Sequence, residues 1–193
     1  MLKSKFITLL TLSFALLCSS AFAETSEVVT KGQARFTSTA PLEKIVGTAP
    51  VTGQFTVDFK KPEAITGKFE VSVASMKTGN DMRDDHLRGS EWLNADKCPK
   101  ITFEAKQSKV LEFKPNDDKG ITTVKAAIEG SMTINCVSQP MKAQVIIKRK
   151  GNMNKIGSQF QVALADFKVA GKKGIVGEKV GKSISVVINL KGK

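Results

Sequence analysis

Three carboxylates, a guanidinium and an imidazole crowd into one short stretch of the chain: Asp81, Arg83, Asp84, Asp85 and His86. His86 is the sole histidine, and the sole tryptophan, Trp92, follows close behind. Acidic residues beside a histidine could ligate a metal or carry out general acid–base work. A structural metal site draws on several His or Cys ligands, and a hydrolase needs a nucleophile oriented by the histidine and a third group. The sequence supplies no Gly-x-Ser-x-Gly elbow, no histidine pair and no glycine-rich phosphate loop. The order Asp-Met-Arg-Asp-Asp reads instead as the capped opening of a short helix, with Arg83 paired to carboxylates and the His86 ring hydrogen-bonded to a buried partner. Ion-pair networks of this kind imitate active sites. The expectation is therefore a structural cluster of Arg83, Asp84, His86 and Trp92, with no metal, no cofactor and no catalytic residue.

That cluster interrupts a sequence of period two. On one side Lys68 to Val73 alternates polar and apolar residues, and on the other Ile101 to Lys106 does the same. Turns between strands usually take about 2 to 6 residues, so the insertion from Thr78 to about Ala95 is an element in its own right. Alternation predicts antiparallel strands over Val28–Thr37, Val51–Lys60, Thr66–Val73, Lys100–Phe113, Ile121–Cys136, Met141–Lys150, Gly157–Phe167 and Val180–Lys191. Each has one apolar face, as in Phe69/Val71, Ile101/Phe103 and Phe160/Val162/Leu164, and polar residues between, the pattern of strands wet on one side only. Turn chemistry is expected at Pro115–Gly120 and at Ser138–Pro140. Alternation alone fits a sandwich or a closed barrel. The strands at 100–113 and 121–136 exceed the usual length of about five or six residues, which favours a tall barrel.

Residues 1–23 have the form of a secretory signal peptide: Lys3 and Lys5, an apolar run from Phe6 to Leu17, and a small-x-small site at Ala21-Phe22-Ala23. Cys18 follows Leu17, where lipoprotein cleavage calls for Gly, Ala or Ser. The expected product is a single exported domain, residues 24–193, in the periplasm or secreted beyond it. Losing Lys3 and Lys5 leaves 30 − 2 = 28 basic residues against 18 acidic, a net charge of +10. Nucleic acid is not expected as a partner of an exported chain whose lysines are scattered along strands. A solvated basic face, or attraction to an anionic membrane surface, accounts for the charge.

Cys98 and Cys136 remain in that product, in a setting where disulfides persist. A hairpin folded about Pro115–Gly120 pairs residues whose numbers add to about 235, bringing Cys98 within about one residue of Cys136. Strict alternation from Ile101 would turn Cys98 to the wrong face, so the bridge requires a kink at Pro99. The alternative is two separately buried thiols.

The order of residues through the insertion resembles the YceI-like domain family. The matching pieces are Thr78-Gly79, Arg83-Asp84, His86-Leu87, Trp92-Leu93-Asn94 and Pro99-x-Ile101-x-Phe103, then Gly130 to Ile134, and Val176-Gly177-Glu178-Lys179 before the last strand. Pro41 to Gly47 and Val51-x-Gly53-x-Phe55 are similar too. Two departures stand out. Cys98 replaces the family's Tyr before Pro, and Cys136 replaces the Gly that closes its G-x-L-T-I-x-G motif; the hairpin register brings these two positions together. The resemblance implies an all-β, eight-stranded antiparallel lipocalin-like barrel with a short helical insertion near residues 78–95. It implies a non-enzymatic carrier of a long-chain isoprenoid, quinone or other amphiphile, monomeric or homodimeric. Phe69, Val71, Ile101, Phe103, Phe160, Val162 and Leu164 would wall the cavity. The rival reading is an envelope stress or structural-interaction protein with a basic outer face and no ligand cavity.

Overall fold

The computed structural model describes residues 25–40, 43–171 and 180–193. The expected leader, Pro41, Leu42 and the 176–179 motif lie outside the described residues. Eight strands form a closed barrel: β1 (Ser26–Thr39), β2 (Lys44–Val57), β3 (Ile65–Ser72), β4 (Lys100–Lys114), β5 (Thr122–Ile134), β6 (Val137–Lys150), β7 (Met153–Ala163) and β8 (Ser183–Gly192). Each pairs antiparallel with the next, and β1 closes on β8 with Ala34 opposite Ile188. Helix α1 (Asp81–Arg88) lies within the insertion between β3 and β4. Every strand has a hydrogen-bonded neighbour on both sides over part of its length, which is how a barrel removes its edges.

Alternation sets which side chains enter the barrel. On β5, Val124, Ala126, Ile128, Met132 and Ile134 are buried while their neighbours face outward. Two apolar clusters result. One, around Val28, Phe55, Val57, Val124 and Ile147, fills the end near the β6–β7 turn. The other, around Val73, Trp92, Leu93, Met132, Val162 and Phe167, lies beneath α1.

Several local readings change. Strand β2 starts at Lys44 rather than Val51, because Ile45, Gly47 and Ala49 already alternate inward. Pro50 fits there because β3 pairs with β2 only from Thr52 onward. The turn expected at Ser138–Pro140 is instead Asn135-Cys136, with φ of 49° and 57°, and Ile134 faces Val137 across it. Adjacent positive-φ residues match the twist of a two-residue hairpin. Pro140 sits within β6, where β7 does not yet pair, so its missing N–H breaks no ladder there. Finally, Leu164–Phe167 is a 3₁₀ turn rather than strand, closed by Lys168 at φ 55°.

Cys98 and Cys136 are joined by a disulfide with Cα atoms 5.3 Å apart. The β4–β5 register runs from Lys114↔Thr123 to Thr102↔Thr133, and two bulges on β4 absorb the slip between them. Cys98 precedes β4 in a turn where its N–H donates to the Asn94 carbonyl (2.7 Å), which supplies the change of face at Pro99.

Candidate functional site

The insertion is held to the barrel by backbone pairing before any side chain contributes. Thr48 and Lys77 exchange hydrogen bonds of 2.8 and 2.9 Å, and the Val73 N–H donates to the Pro99 carbonyl. The sequence then starts a helix: Asn80 caps α1 by accepting the Arg83 N–H (3.0 Å), with Asp81 and Asp84 in the first turn and Arg88 in the last. Gly89 ends it, its N–H reaching the Asp85 and His86 carbonyls.

The charged cluster divides along the faces of this helix. Asp84 points inward and is 1% exposed. Its Oδ1 accepts both the Thr78 N–H (2.7 Å) and the Thr78 hydroxyl (2.6 Å), with Lys77 Nζ 3.5 Å from Oδ2. Burial opposes its ionisation, but the Thr78 bonds and the Lys77 ammonium outweigh it and hold the carboxyl below its ordinary value. Arg83 donates through Nε to the same Thr78 hydroxyl (3.0 Å), through Nη2 to the Thr78 carbonyl (3.2 Å), and through Nη1 to Glu43 (2.6 Å). Thr78 is thus the hinge between cation and anion. Asp85 turns outward to Arg88 (2.8 Å), so the carboxylates diverge rather than converge on a metal. The carboxylate that Arg83 pairs with lies 40 residues upstream. The His86 ring has no hydrogen-bond partner among the described residues.

Beneath α1 the structure forms an open-sided chamber of about 310 Å³. Its apolar wall includes Phe36, Ile45, Met76, Ile134, Ile184 and Val186, while Glu43, Thr78, Asn80, Arg83 and His86 form a polar side along the helix and its flanking loops. Of the seven expected wall residues, Ile101, Val162 and Leu164 line this chamber. Val71, Phe103 and Phe160 pack half-buried against the same cluster, and Phe69 packs against the cluster at the other end. Trp92 lines the chamber with its ring edge against Gly171, where a Cβ would fall 2.6 Å from Cη2. Its buried Nε1 has no partner among the described residues. Alternation could have marked Phe36, Ile184 and Val186. Glu43 could not be found that way, since nothing local to it signals a distant arginine.

A closed antiparallel barrel with an apolar chamber and polar groups gathered at one side is the architecture of lipocalin-like binding barrels. The YceI-like domain profile matches residues 23–192, and the chain belongs to that family. A UPF0312 protein of Yersinia pestis (strain Pestoides F) is 30% identical over 140 residues, 69% of this chain and 67% of the relative. One from Pseudomonas paraeruginosa is 35% identical over 100 residues, 52% of this chain and 47% of its own length, so the match spans about half of that relative. The crystal structure of Burkholderia cenocepacia BcnA shares the fold with TM-score 0.67 at 17% identity, covering 86% of this chain and 96% of that one. A polyisoprenoid binding domain from Saccharophagus degradans, implicated in plant cell wall breakdown, gives TM-score 0.63 at 10% identity, covering 86% and 97%.

The Asp84 geometry sets an expected acid response. A carboxyl whose folded pKa is depressed contributes stability that is fully present above its unfolded value and lost as pH falls through the folded one. The wild type should therefore lose stability below its ordinary pKa of 3.8. Asp84→Ala, which leaves the Thr78 N–H without its acceptor, should cost about 1–3 kcal/mol at neutral pH and remove that part of the acid loss. Urea unfolding of both proteins across the acid range checks this; superimposable pH profiles would show that Asp84 does not tie down the insertion.

Proposed function

We propose that this protein is a periplasmic carrier that holds a long-chain amphiphile, a polyisoprenoid or isoprenoid quinone, and performs no reaction of its own. The observation that carries the reading is the chamber: apolar through its depth, with polar side chains collected along α1 and the adjoining loops. Its volume of about 310 Å³ falls at the small end of ligand pockets. Burying each methylene contributes about 0.8 kcal/mol, so a hydrocarbon chain binds without specific polar contacts while its headgroup rests near Arg83 and His86. The basic, then apolar, N-terminal stretch ending at Ala23 supports export. The polyisoprenoid binding described for the Saccharophagus domain supports the ligand class.

The test is to purify the protein from its membrane-containing source, extract it with organic solvent and identify retained compounds by mass spectrometry. A co-purifying prenyl-chain compound is expected. Added prenols should bind more tightly with length, solanesol exceeding geraniol by about a hundredfold or more on the methylene increment. Empty protein that binds both prenols equally weakly would overturn the carrier reading.

A further inference from the structure

The outer wall made by β6, β7, β8 and β1 carries cations that the fold places side by side. Lys31 on β1 lies directly opposite Lys191 on β8, Lys191 opposite Lys155 on β7, and Lys155 opposite Lys148 on β6. All four face outward and are exposed. Like charges directly across a ladder destabilise a sheet, so this row works against the fold that bears it. The neighbouring wall is arranged differently: Glu112 is bracketed by Lys114 and Lys125, and Glu129 pairs with Lys142 at 2.6 Å. Within β1, β6, β7 and β8 the acidic residue is Glu27, at the start of β1. Lys148 feels the loop carboxylate of Asp117, while Lys31, Lys155 and Lys191 have no ion-pair partner among the described residues.

The same wall exposes apolar side chains beside the lysines. Val29, Ile146 and Met153 each precede a lysine of the row by two residues, hence share its face, and are 67%, 41% and 43% exposed. Cations interleaved with apolar side chains fit an interface whose headgroups are anionic and whose next layer is hydrocarbon. A hydrated acidic polymer would match the lysines but leave the apolar groups unused.

We propose that the Lys31–Lys191–Lys155–Lys148 row, with Val29, Ile146 and Met153, docks the barrel on an anionic phospholipid surface. The row crosses the strands away from the chamber: Lys31 precedes the lining residue Phe36 on β1, and Lys191 follows Ile184 and Val186 on β8. Docking by this wall leaves the chamber's polar side uncovered. The proposal stands apart from the ligand assigned to the chamber.

Co-sedimentation tests it, using the chain from residue 24 onward, which holds every described barrel residue. Vesicles of phosphatidylethanolamine with phosphatidylglycerol should bind the protein at low salt, and phosphatidylcholine vesicles should not. A lysine near an anionic surface contributes roughly fivefold, so Lys31→Ser/Lys155→Ser/Lys191→Ser should lower partitioning roughly a hundredfold. Val29→Ser/Met153→Ser should lower it further, with the lysines intact, by a factor that salt does not screen. Lys68→Ser/Lys106→Ser/Lys109→Ser removes the same charge from β3 and β4 and should change binding little. Equal losses in both lysine triples would reduce the effect to net charge and overturn the proposal. So would indifference to vesicles combined with lysine-dependent binding to an acidic polysaccharide such as heparin.

Discussion

Val162→Glu is expected to lower affinity for a long-chain prenol by roughly a hundredfold or more, with the barrel still folded by circular dichroism. Val162 is buried on β7 opposite Ile184, and both line the chamber beneath α1. A carboxylate there meets apolar neighbours and must either stay protonated or draw in water, and each outcome spoils a hydrocarbon site. Should the variant fail to fold, Ile101→Trp addresses the same space by filling it, with no buried charge. Ile101 lines the chamber and is half-buried, so a larger ring has somewhere to go. Prenol binding that survives both substitutions, measured by isothermal titration, would place the ligand elsewhere.

Removing the disulfide should produce the largest change in stability. The bridge joins residues 38 apart in sequence, for which chain entropy gives about 4 kcal/mol. Cys98→Ala and Cys136→Ala should each lose close to that amount in chemical denaturation under oxidising conditions. Cys136→Gly should lose less, by about 1 kcal/mol, because Cys136 occupies a left-handed conformation at φ 57° that a Cβ disfavours and glycine does not. Equal stability of the Gly and Ala variants would show that the turn carries no such cost. Denatured, unreduced protein from residue 24 onward should titrate no free thiol.

The barrel was legible because its signal is repeated. Inward Val124, Ala126, Ile128 and outward Thr123, Lys125, Ala127 obey one rule along β5, and β1 and β2 follow it over most of their length. Boundaries were harder, since a proline reads as a stop unless the missing neighbour is known. Pro50 and Pro140 both lie inside strands, at places where one flanking strand has not begun to pair. The disulfide could be reached from register, although the two bulges on β4 that bring it into line leave no mark in the sequence. In the insertion, Asn80 capping and the Asp84–Thr78 bonds are local and follow from residue type. Arg83 finding Glu43, and Phe69 facing the opposite cluster from Ile101, depend on how distant strands are stacked. Alternation assigns a residue to the inside of a barrel; it does not say at what height along the axis.

The chain has one tryptophan and no tyrosine, and that tryptophan, Trp92, forms part of the chamber wall. Near-ultraviolet emission therefore comes from one indole with no phenolic background. The colour and intensity of that light depend on what surrounds a ring wedged between Gly171 and the cavity. The protein carries its own optical gauge of filling and emptying, readable without a label.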